Sequence, residues 1–414
     1  MKPALSLPKI FQLIIIVSFF LSVGPLACAQ QVKTGADVLV EKNLSLLKNK
    51  RVGIICNHTS LLRTGTHLVD TLQNLGVNIT TLFSPEHGIR GRSSAGESVT
   101  DSVDAKTGLP VYSLYGKLHK PTPEILSHVD VVLFDLQDVG ARFYTYISTM
   151  VLAMEAAAQA GKEFIILDRP NPINGVNVEG PILDTTLQSF VGILPVTIRH
   201  GMTTGELARL VYGEYWSNGV MKLTIIPMEG WERTMWYDET GLQWVPPSPN
   251  MKTLSTATVY PGTCLVEGTN VSEGRGTEKP FEYIGAPWIN GKKLSDELMT
   301  LNLPGVEFTP VQFSPMVDSI AAPNPKYKNT LCEGVFVHVK DRKSFSPVVV
   351  GIKIIEVINK LYSDVFKFNE SSFDRLAGIN RLRLSYKTGI DAVILDSKAN
   401  CEKFVKKREK YLLY

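Results

Sequence analysis

The strongest constraint on the fold of this chain is the alternation of short apolar runs with amphipathic helical patterns between residues 50 and 228. The predicted elements, in chain order, are strand 51–57, helix 66–75, strand 78–84, strand 129–135, helix 145–160, strand 163–167, helix 203–215 and strand 223–228. The strand at 129–135 is apolar almost throughout, as expected for a strand that is buried on both faces. The pattern predicts an α/β fold with a Rossmann-like, doubly wound, mostly parallel sheet that is covered by helices on both sides.

This alternation stops between residues 230 and 261, where three tryptophans are followed by a proline-rich stretch. We therefore place a domain boundary there, with a Rossmann-like catalytic domain over residues 34–258. A smaller α+β auxiliary domain over residues 259–414 follows it. Within this second domain, the clearest predicted elements are a strand at residues 334–339 and a helix at residues 347–362.

The N-terminal segment has the pattern of a targeting sequence. Lys2 and Lys9 precede an apolar run at residues 10–23, and small residues follow that run directly. This pattern predicts a signal peptide over residues 1–29 and an exported, periplasmic protein. The alternative is a lipid anchor at Cys28 in the cell envelope. The rest of the sequence has no apolar run of spanning length, so we expect no stable membrane span.

Charge, cysteine spacing and the absence of familiar motifs argue against several classes of function. A formal net charge of +3 over 414 residues gives no electrostatic reason to expect nucleic-acid binding. The basic residues between positions 403 and 410 are explained by the solvated face of a helix. Four cysteines follow residue 29 without the spacing of a metal site, and one disulfide is possible without a preferred pair. No dinucleotide loop, phosphate loop or zinc-type histidine pair is found, so we predict no cofactor and no metal.

Three predicted strands end in polar loops, at residues 84–91, 135–144 and 167–172. The carboxyl ends of parallel strands meet at one edge of a sheet, where open α/β folds bind ligands. Polar side chains from the three loops should therefore converge. We expect function from Glu86 and His87 in particular, because the nearby glycines permit close approach of a ligand.

The second of these loops contributes Asp138, Arg142 and Tyr144 as further candidates for the converging site. In the third loop, Asp168 and Arg169 are better explained by helix capping and by ion pairs that fix loop conformation.

A fourth segment, residues 266–282, is dense in charged residues and glycine although it lies between apolar stretches. It carries Glu267, Ser272 and Arg275. Two interpretations stay open, a plain surface loop and a binding loop that reaches into a cleft between the domains. Trp288 follows shortly after and either stacks on a sugar face or packs in the core.

Six motifs occur in order along the chain. They are Ser-Pro-Glu-His-Gly at 84–88, Phe-Asp-Leu-Gln-Asp-Val-Gly-Ala-Arg-Phe-Tyr-Thr-Tyr at 134–146, Leu-Asp-Arg-Pro-Asn-Pro at 167–172, His-Gly-Met-Thr at 200–203, Pro-Ser-Pro-Asn at 247–250 and Glu-Gly-Thr-Asn at 267–270. Together they resemble the exo-β-N-acetylmuramidase family, long catalogued as a domain of unknown function, from about residue 35 onward. The resemblance implies a Rossmann-like domain plus an auxiliary domain, with the active cleft between them. It also implies hydrolysis of a terminal β-linked N-acetylmuramic acid from the non-reducing end of peptidoglycan fragments.

The glutamates of the family's motifs fall on Glu86 and Glu267. Glycoside hydrolysis needs a carboxyl group that protonates the leaving oxygen and a second group that supports the oxocarbenium ion or activates water. We expect Glu86 to be the general acid and Glu267 its partner, with Asp138 and Glu273 in reserve. The side chains expected to bind peptidoglycan-derived oligosaccharides or muropeptides are His87, Tyr144 and Asn270 for the hydroxyl and acetamido groups, Arg142 and Arg275 for the lactyl carboxylate, and Ser272 and Glu273 in the same loop.

Alternatives remain at this point. Arg142 and Arg275 could instead pair with neighbouring acids. An amidase or esterase acting on cell-wall substituents would need a nucleophile, for which Ser272 is the loop serine to test. A non-catalytic periplasmic protein that binds muropeptides would keep the arginines and aromatic residues without needing a matched acid pair.

Overall fold

The computed structural model describes residues 31–89, 102–215 and 221–414. The predicted signal peptide at residues 1–29, with its alternative lipid anchor at Cys28, lies outside the described residues. Residues 31–414 form one compact unit. Within the described stretches, no helix is long and apolar enough to cross a membrane.

The larger sheet has seven strands among the described residues. They are β1 (Val52–Cys56), β2 (Ile79–Ser84), β3 (Ser102–Val103), β4 (Pro110–Ser113), β5 (Val131–Asp135), β6 (Glu163–Leu167) and β7 (Leu223–Ile226). Their order across the sheet is β3-β4-β2-β1-β5-β6-β7, and only β3 runs antiparallel to its neighbour. The strand order reverses between β1 and β5, and such a reversal is where ligands bind in open parallel sheets.

Eleven α-helices are described in the same stretches of chain. They are α1 (Gly35–Val38), α2 (Leu68–Asn74), α3 (Pro123–Leu126), α4 (Tyr146–Gln159), α5 (Thr204–Tyr215), α6 (Leu254–Thr263), α7 (Gly291–Thr300), α8 (Pro347–Leu361), α9 (Glu370–Ala377), α10 (Arg381–Ser385) and α11 (Asp391–Arg408). Short 3₁₀ turns lie at Leu44–Leu47, Thr185–Leu187, Tyr237–Glu239, Cys264–Gly268 and Glu409–Tyr411, and a π-helical turn spans Leu39–Asn43.

Both faces of the larger sheet are buried, as its apolar strands predicted. In β5, Val131 and Leu133 belong to the apolar cluster that contains α1 and α2. Val132 and Phe134 point the other way and belong to the cluster that contains α4 and α5. Because side chains alternate between the two faces of a strand, this division shows helices covering each side. The predicted doubly wound, mostly parallel sheet is confirmed.

The second part of the chain contains a smaller antiparallel sheet. Its strands are β8 (Tyr283–Ala286), β9 (Val306–Phe313) and β10 (Cys332–Val339), in the order β8-β10-β9. Helices α7 and α8 belong to this part and share its core. The predicted strand at 334–339 and helix at 347–362 are confirmed within two residues at each end.

The predicted boundary between residues 258 and 259 lies inside helix α6. Helix α6 packs closely against α8, since a Cβ added at Gly262 would lie 1.7 Å from the Pro347 carbonyl oxygen. A Cβ at Gly351 would lie 2.2 Å from the Gly262 oxygen. Glycine at both positions lets the two backbones approach. The location of the boundary stays a prediction.

The C-terminal residues reach back to the larger sheet. The Tyr414 hydroxyl donates a hydrogen bond to Asp168 Oδ2 at 2.7 Å. Arg408 is 4 % exposed, and its guanidinium donates to backbone carbonyls that include Val176 and His200. The expectation that this basic segment is simply a solvated face is therefore wrong for Arg408, which is buried because carbonyl oxygens satisfy its donors.

Helix α5 begins with a capping box, in which Glu206 N donates to Thr203 Oγ1 at 3.2 Å and Thr203 N donates to Glu206 Oε2 at 3.0 Å. The four described cysteines, Cys56, Cys264, Cys332 and Cys401, are buried and free, so none of them forms the disulfide that the sequence allowed.

Candidate active site

A cavity of about 420 Å³, counting the space at its open mouth, lies at the carboxyl edge of the larger sheet. Glu86 and His87 line it from the turn after β2, and residues 143–146 line it from the start of α4. Tyr260 from α6 and Arg275 from the loop before β8 also line it. Segments from both parts of the chain therefore meet here, as predicted for Glu86, His87, Tyr144 and Arg275.

Glu86 is held in place by a hydroxyl on α4's N-terminal side. Thr145 Oγ1 donates a hydrogen bond to Glu86 Oε2 at 2.8 Å. The Glu86 carboxylate also lies beside the Tyr115 hydroxyl, whose pKa is raised by burial and by the Glu86 charge. The carboxyl group is thus oriented at the cavity wall while its side chain keeps partial exposure.

His87 and Tyr144 complete this side of the cavity. His87 has a φ of 73°, in the left-handed region that non-glycine residues seldom adopt, and such strain is concentrated at functional sites. Tyr144 is 7 % exposed, and its ring packs edge-on against Tyr146 at 4.8 Å and Tyr260 at 6.2 Å between ring centroids. These contacts fix the direction of the Tyr144 hydroxyl.

Asp138 lies on the same loop as Tyr144. Its side chain is 8 % exposed, and Gly140 N donates to Asp138 Oδ1 at 2.7 Å. Burial raises the pKa of this carboxyl to about 7, although backbone amides of Gly140 and Val139 oppose the shift. Strongly shifted carboxyl groups beside a cavity are typical of functional sites. Asp138 therefore remains a candidate for acid–base chemistry.

Arg275 is the positively charged residue along the described part of the cavity wall. Its Nε and Nη2 both donate to Glu267 Oε1, at 3.0 and 2.7 Å, and Nε lies 3.6 Å from Glu273 Oε1. Burial lowers the pKa of Arg275, but the charges of Glu267 and Glu273 outweigh burial and raise it. Nη1 donates to no described residue. The Arg275 side chain is 26 % exposed, and its Nη1 is left for a ligand.

Lys326 is a residue that the sequence analysis missed. Its ammonium lies 3.0 Å from Glu273 Oε2 and donates to the backbone oxygens of Val266, Glu267 and Val271 at 2.9 to 3.1 Å. These contacts stabilise the loop that contains Glu267 and Arg275. No short-range pattern could reveal it, because Lys326 lies more than fifty positions further along the chain.

Arg142 does not line the cavity. It is 1 % exposed, and its guanidinium donates to the backbone oxygens of Pro181, Val196 and Leu376 at 2.7 to 2.9 Å. This placement corrects the expectation that Arg142 binds the lactyl carboxylate. The donors are used by buried carbonyls, which would otherwise be left unpaired, so Arg142 stabilises the fold.

Asn270 and Ser272 also have structural partners. Asn270 Nδ2 donates to the Val365 oxygen and Asn270 Oδ1 accepts from Lys367 N, each at 2.8 Å. Ser272 is 1 % exposed, and its hydroxyl accepts a hydrogen bond from Gly274 N at 3.2 Å. Neither residue lines the cavity. The structure therefore does not favour Asn270 as a sugar ligand or Ser272 as a substrate ligand or nucleophile.

The remaining candidates have structural explanations. Asp168 accepts from Thr203 Oγ1 and Gly205 N, each at 2.7 Å, and so caps α5. Arg169 forms a buried ion pair with Asp135, with Nε 2.6 Å from Oδ1. The predicted capping and loop-fixing roles are confirmed. Trp288 donates to the Tyr327 hydroxyl at 3.1 Å and does not line the cavity.

Comparison with known proteins agrees with the resemblance of the motifs. The family model described as exo-β-N-acetylmuramidase NamZ, N-terminal, matches residues 52–255, and the corresponding C-terminal model matches residues 258–414. The chain is 46 % identical over 388 residues to the peptidoglycan β-N-acetylmuramidase NamZ of Bacillus subtilis strain 168, covering 93 % of this chain and 92 % of that protein.

Two solved structures share the fold. Both are crystal structures of DUF1343 family proteins from Bacteroides fragilis NCTC 9343. The first has a TM-score of 0.85 at 37 % identity and covers 93 % of this chain and 99 % of its own. The second has a TM-score of 0.73 at 35 % identity and covers 92 % of this chain and 99 % of its own. With both family models and a relative of high coverage in agreement, the chain belongs to the exo-β-N-acetylmuramidase NamZ family of glycosidases.

Proposed function

We propose that this enzyme releases N-acetylmuramic acid from the non-reducing end of peptidoglycan fragments, with the cavity between Glu86 and Arg275 as its active site. One observation carries the proposal: a single cavity is lined by a carboxylic acid, Glu86, and by an arginine, Arg275, whose Nη1 donates to no described residue. N-acetylmuramic acid has a glycosidic oxygen for the first group and a lactyl carboxylate for the second.

Glu86 is the general acid in this proposal. Its carboxyl group lies at the carboxyl end of β2, and the Thr145 hydroxyl holds one oxygen at 2.8 Å. Glu86 lines the cavity, so its carboxyl group lies within reach of a sugar bound there. A positioned acid of this kind contributes about 10² to 10⁴ in rate.

Arg275 supplies selectivity for the muramic acid residue. Guanidinium groups match carboxylates in geometry and charge. The lactyl carboxylate distinguishes N-acetylmuramic acid from N-acetylglucosamine, whereas both sugars carry an acetamido group. Among the described residues, Arg275 is the arginine that lines the cavity, whereas the Arg142 guanidinium donates to buried carbonyls.

Glu267 was expected to be the second catalytic carboxyl, and that assignment stays a prediction. In the structure two nitrogens of Arg275 bind one oxygen of Glu267. A carboxylate oxygen that accepts two charge-assisted hydrogen bonds is less available for contact with a substrate. We therefore assign Glu267 to holding Arg275 and keep Asp138 as the second carboxyl near the cavity.

The test uses two β-linked disaccharides, one with N-acetylmuramic acid and the other with N-acetylglucosamine at the non-reducing end. Wild-type enzyme should release free N-acetylmuramic acid from the first and leave the second intact, as judged by mass spectrometry. A Glu86→Gln variant with an unchanged circular dichroism spectrum should release neither sugar. Cleavage of both disaccharides at equal rates, or of neither by the wild type, would contradict the proposal.

The location of the enzyme is a separate proposal. Lys2, Lys9 and the apolar run at residues 10–23 support export to the periplasm, with removal of residues 1–29. N-terminal sequencing of native protein should start near Gln30, or at a lipidated Cys28. A mature protein that retains Met1 would contradict export by this route.

A further inference from the structure

Three aromatic side chains cluster next to the carboxyl end of β4. They are Tyr115, His119 and Phe190. The Phe190 ring centroid lies 5.7 Å from that of Tyr115 and 4.4 Å from that of His119, and the Tyr115 and His119 centroids lie 6.3 Å apart. His119 is exposed, whereas Tyr115 and Phe190 are half-buried. We call these three residues the aromatic platform, because adjoining exposed apolar groups, unlike single ones, mark binding sites.

The aromatic platform is connected to the active cavity through Glu86. The Tyr115 hydroxyl is hydrogen-bonded to the Glu86 carboxylate. Glu86 lines the cavity and also accepts from Thr145 Oγ1 at 2.8 Å. Burial raises the pKa of Tyr115, and the charge of Glu86 and this hydrogen bond raise it further, so the hydroxyl keeps its proton and donates. One end of the aromatic platform is therefore in contact with the proposed general acid.

The backbone around Phe190 is fixed by two sets of hydrogen bonds. Ser189 N and Gly192 N each donate to the backbone oxygen of the other residue at 3.0 Å, which closes a tight turn around Phe190. Ser148 Oγ donates to the Phe190 backbone oxygen at 2.7 Å. Ser148 lies in the first turn of α4, next to residues 143–146 that line the cavity. The position of Phe190 is therefore coupled to the cavity as well.

The place of the aromatic platform relative to the scissile bond follows from the role of Glu86. None of the three platform residues lines the cavity that receives the sugar to be released. A general acid in glycoside hydrolysis must reach the oxygen that joins two sugars. With the muramic acid residue in the cavity, the leaving sugar therefore begins beside Glu86 and extends out of the cavity. The aromatic platform begins beside the same carboxyl group.

The chemistry of the aromatic platform is complementary to a sugar ring. Such a ring has an apolar face of C–H bonds and a rim of hydroxyl groups. Aromatic rings pack against the apolar face, and the exposed His119 imidazole offers a polar group to a hydroxyl. We infer that Tyr115, His119 and Phe190 form the subsite for the leaving sugar, so that the enzyme favours a glycan over a simple glycoside of N-acetylmuramic acid. This inference rests on the proposed function and adds recognition of the second sugar.

The test compares two substrates that differ in the leaving group. One is the disaccharide with N-acetylmuramic acid β-linked to N-acetylglucosamine, and the other is methyl β-N-acetylmuraminide, which offers no second ring to the aromatic platform. The released N-acetylmuramic acid is quantified by mass spectrometry. The ratio of kcat/KM for the disaccharide to that for the methyl glycoside should fall about three- to tenfold in His119→Ala and in Phe190→Ala, because an aromatic contact is lost.

The smaller sheet offers a matched pair of control variants. Phe336 and His338 on β10 form another ring pair, with centroids 5.2 Å apart, a half-buried phenylalanine and an exposed histidine, and neither residue lines the cavity. Phe336→Ala and His338→Ala should keep the wild-type ratio, with folding checked by circular dichroism.

A wild-type ratio in both folded platform variants, or an equal fall in the control variants, would overturn the inference and leave the proposed function intact. If the wild type hydrolyses neither substrate, the proposed function fails, and this inference fails with it.

Discussion

Two glycine-containing loops of this molecule each carry an arginine, and the two arginines have different roles. The first loop, residues 135–146, follows β5 and holds Arg142 with its guanidinium on three backbone oxygens and 1 % of the residue exposed. The second loop, residues 266–282, holds Arg275 beside Glu267, with a quarter of its side chain exposed in the cavity wall. The residue type is the same, so the partners decide the role. Backbone carbonyls make Arg142 structural, whereas acidic side chains at a cavity leave Arg275 able to meet a charged ligand.

The largest expected effect on activity comes from substitution of Glu86, which belongs to neither loop. The loss of activity in this variant is the reference for the effects of substitutions in both loops. Glu86→Gln should lower kcat by about 10² to 10⁴ with little change in stability, because the amide is isosteric but cannot protonate a leaving oxygen. Initial rates on a chromogenic β-N-acetylmuraminide measure this. Near-normal turnover in a folded variant would move the acid to Glu267 or Asp138.

The two loops should differ most clearly in how much their arginines contribute to the free energy of unfolding. Arg142→Met should cost at least about 3 kcal/mol in the free energy of unfolding, because three buried carbonyl oxygens lose their donors. The free energy of unfolding of the variant and of the wild type is measured by urea denaturation. Arg381→Met is the matched control, since Arg381 pairs with Asp396 at the surface with more than half of each side chain exposed, and should cost within about 1 kcal/mol. Equal effects of the two substitutions would show that Arg142 is not a structural residue.

A smaller effect separates the two possible roles of Glu267. If it holds Arg275, Glu267→Gln should lower kcat/KM for the muraminide only about tenfold, through a weakened charge-assisted contact. The same substitution in an Arg275→Ala background should then have almost no further effect. A loss as large as that of Glu86→Gln, and unchanged in that background, would establish Glu267 as the second catalytic carboxyl.

A further expected effect is a pH dependence. Burial raises the pKa of Asp138 to about 7, so this carboxyl is protonated below that pH and ionised above it. Because the second carboxyl group must be ionised to support the oxocarbenium ion or to activate water, kcat/KM should fall about tenfold per pH unit below pH 7 if Asp138 has this role. The Asp138→Asn variant should lack this limb. A wild-type profile that is flat from pH 5 to pH 7 would argue against an ionisable Asp138 in the reaction.

Much of the larger sheet was predictable because its signal is local. Apolar strands and the capping box at Thr203 and Glu206 follow from residues within a few positions of one another. The convergence of Glu86, Tyr144 and the loop of residues 266–282 also followed, from strand ends and from family motifs.

What the sequence did not show depends on partners distant along the chain. Arg142 bonds to an oxygen 234 positions away, and Lys326 reaches oxygens 55 to 60 positions away. Helix α6 was missed because a proline interrupts it and its residues are buried around the whole circumference, which removes the amphipathic period. Burial and long-range hydrogen bonds arise only when the tertiary fold forms. A local sequence pattern therefore cannot predict them.

The most direct test of the central claim is substrate selectivity in the two arginine variants. The quantity to measure is the ratio of kcat/KM for a chromogenic β-N-acetylmuraminide to that for the matching glucosaminide. A buried or half-buried charge that loses its partner costs on the order of 3 kcal/mol, so Arg275→Ala should lower this ratio by about a hundredfold. Arg142→Met, assayed where it is folded, should leave the ratio unchanged. Selectivity that survives Arg275→Ala, or that is lost in Arg142→Met, would contradict the account.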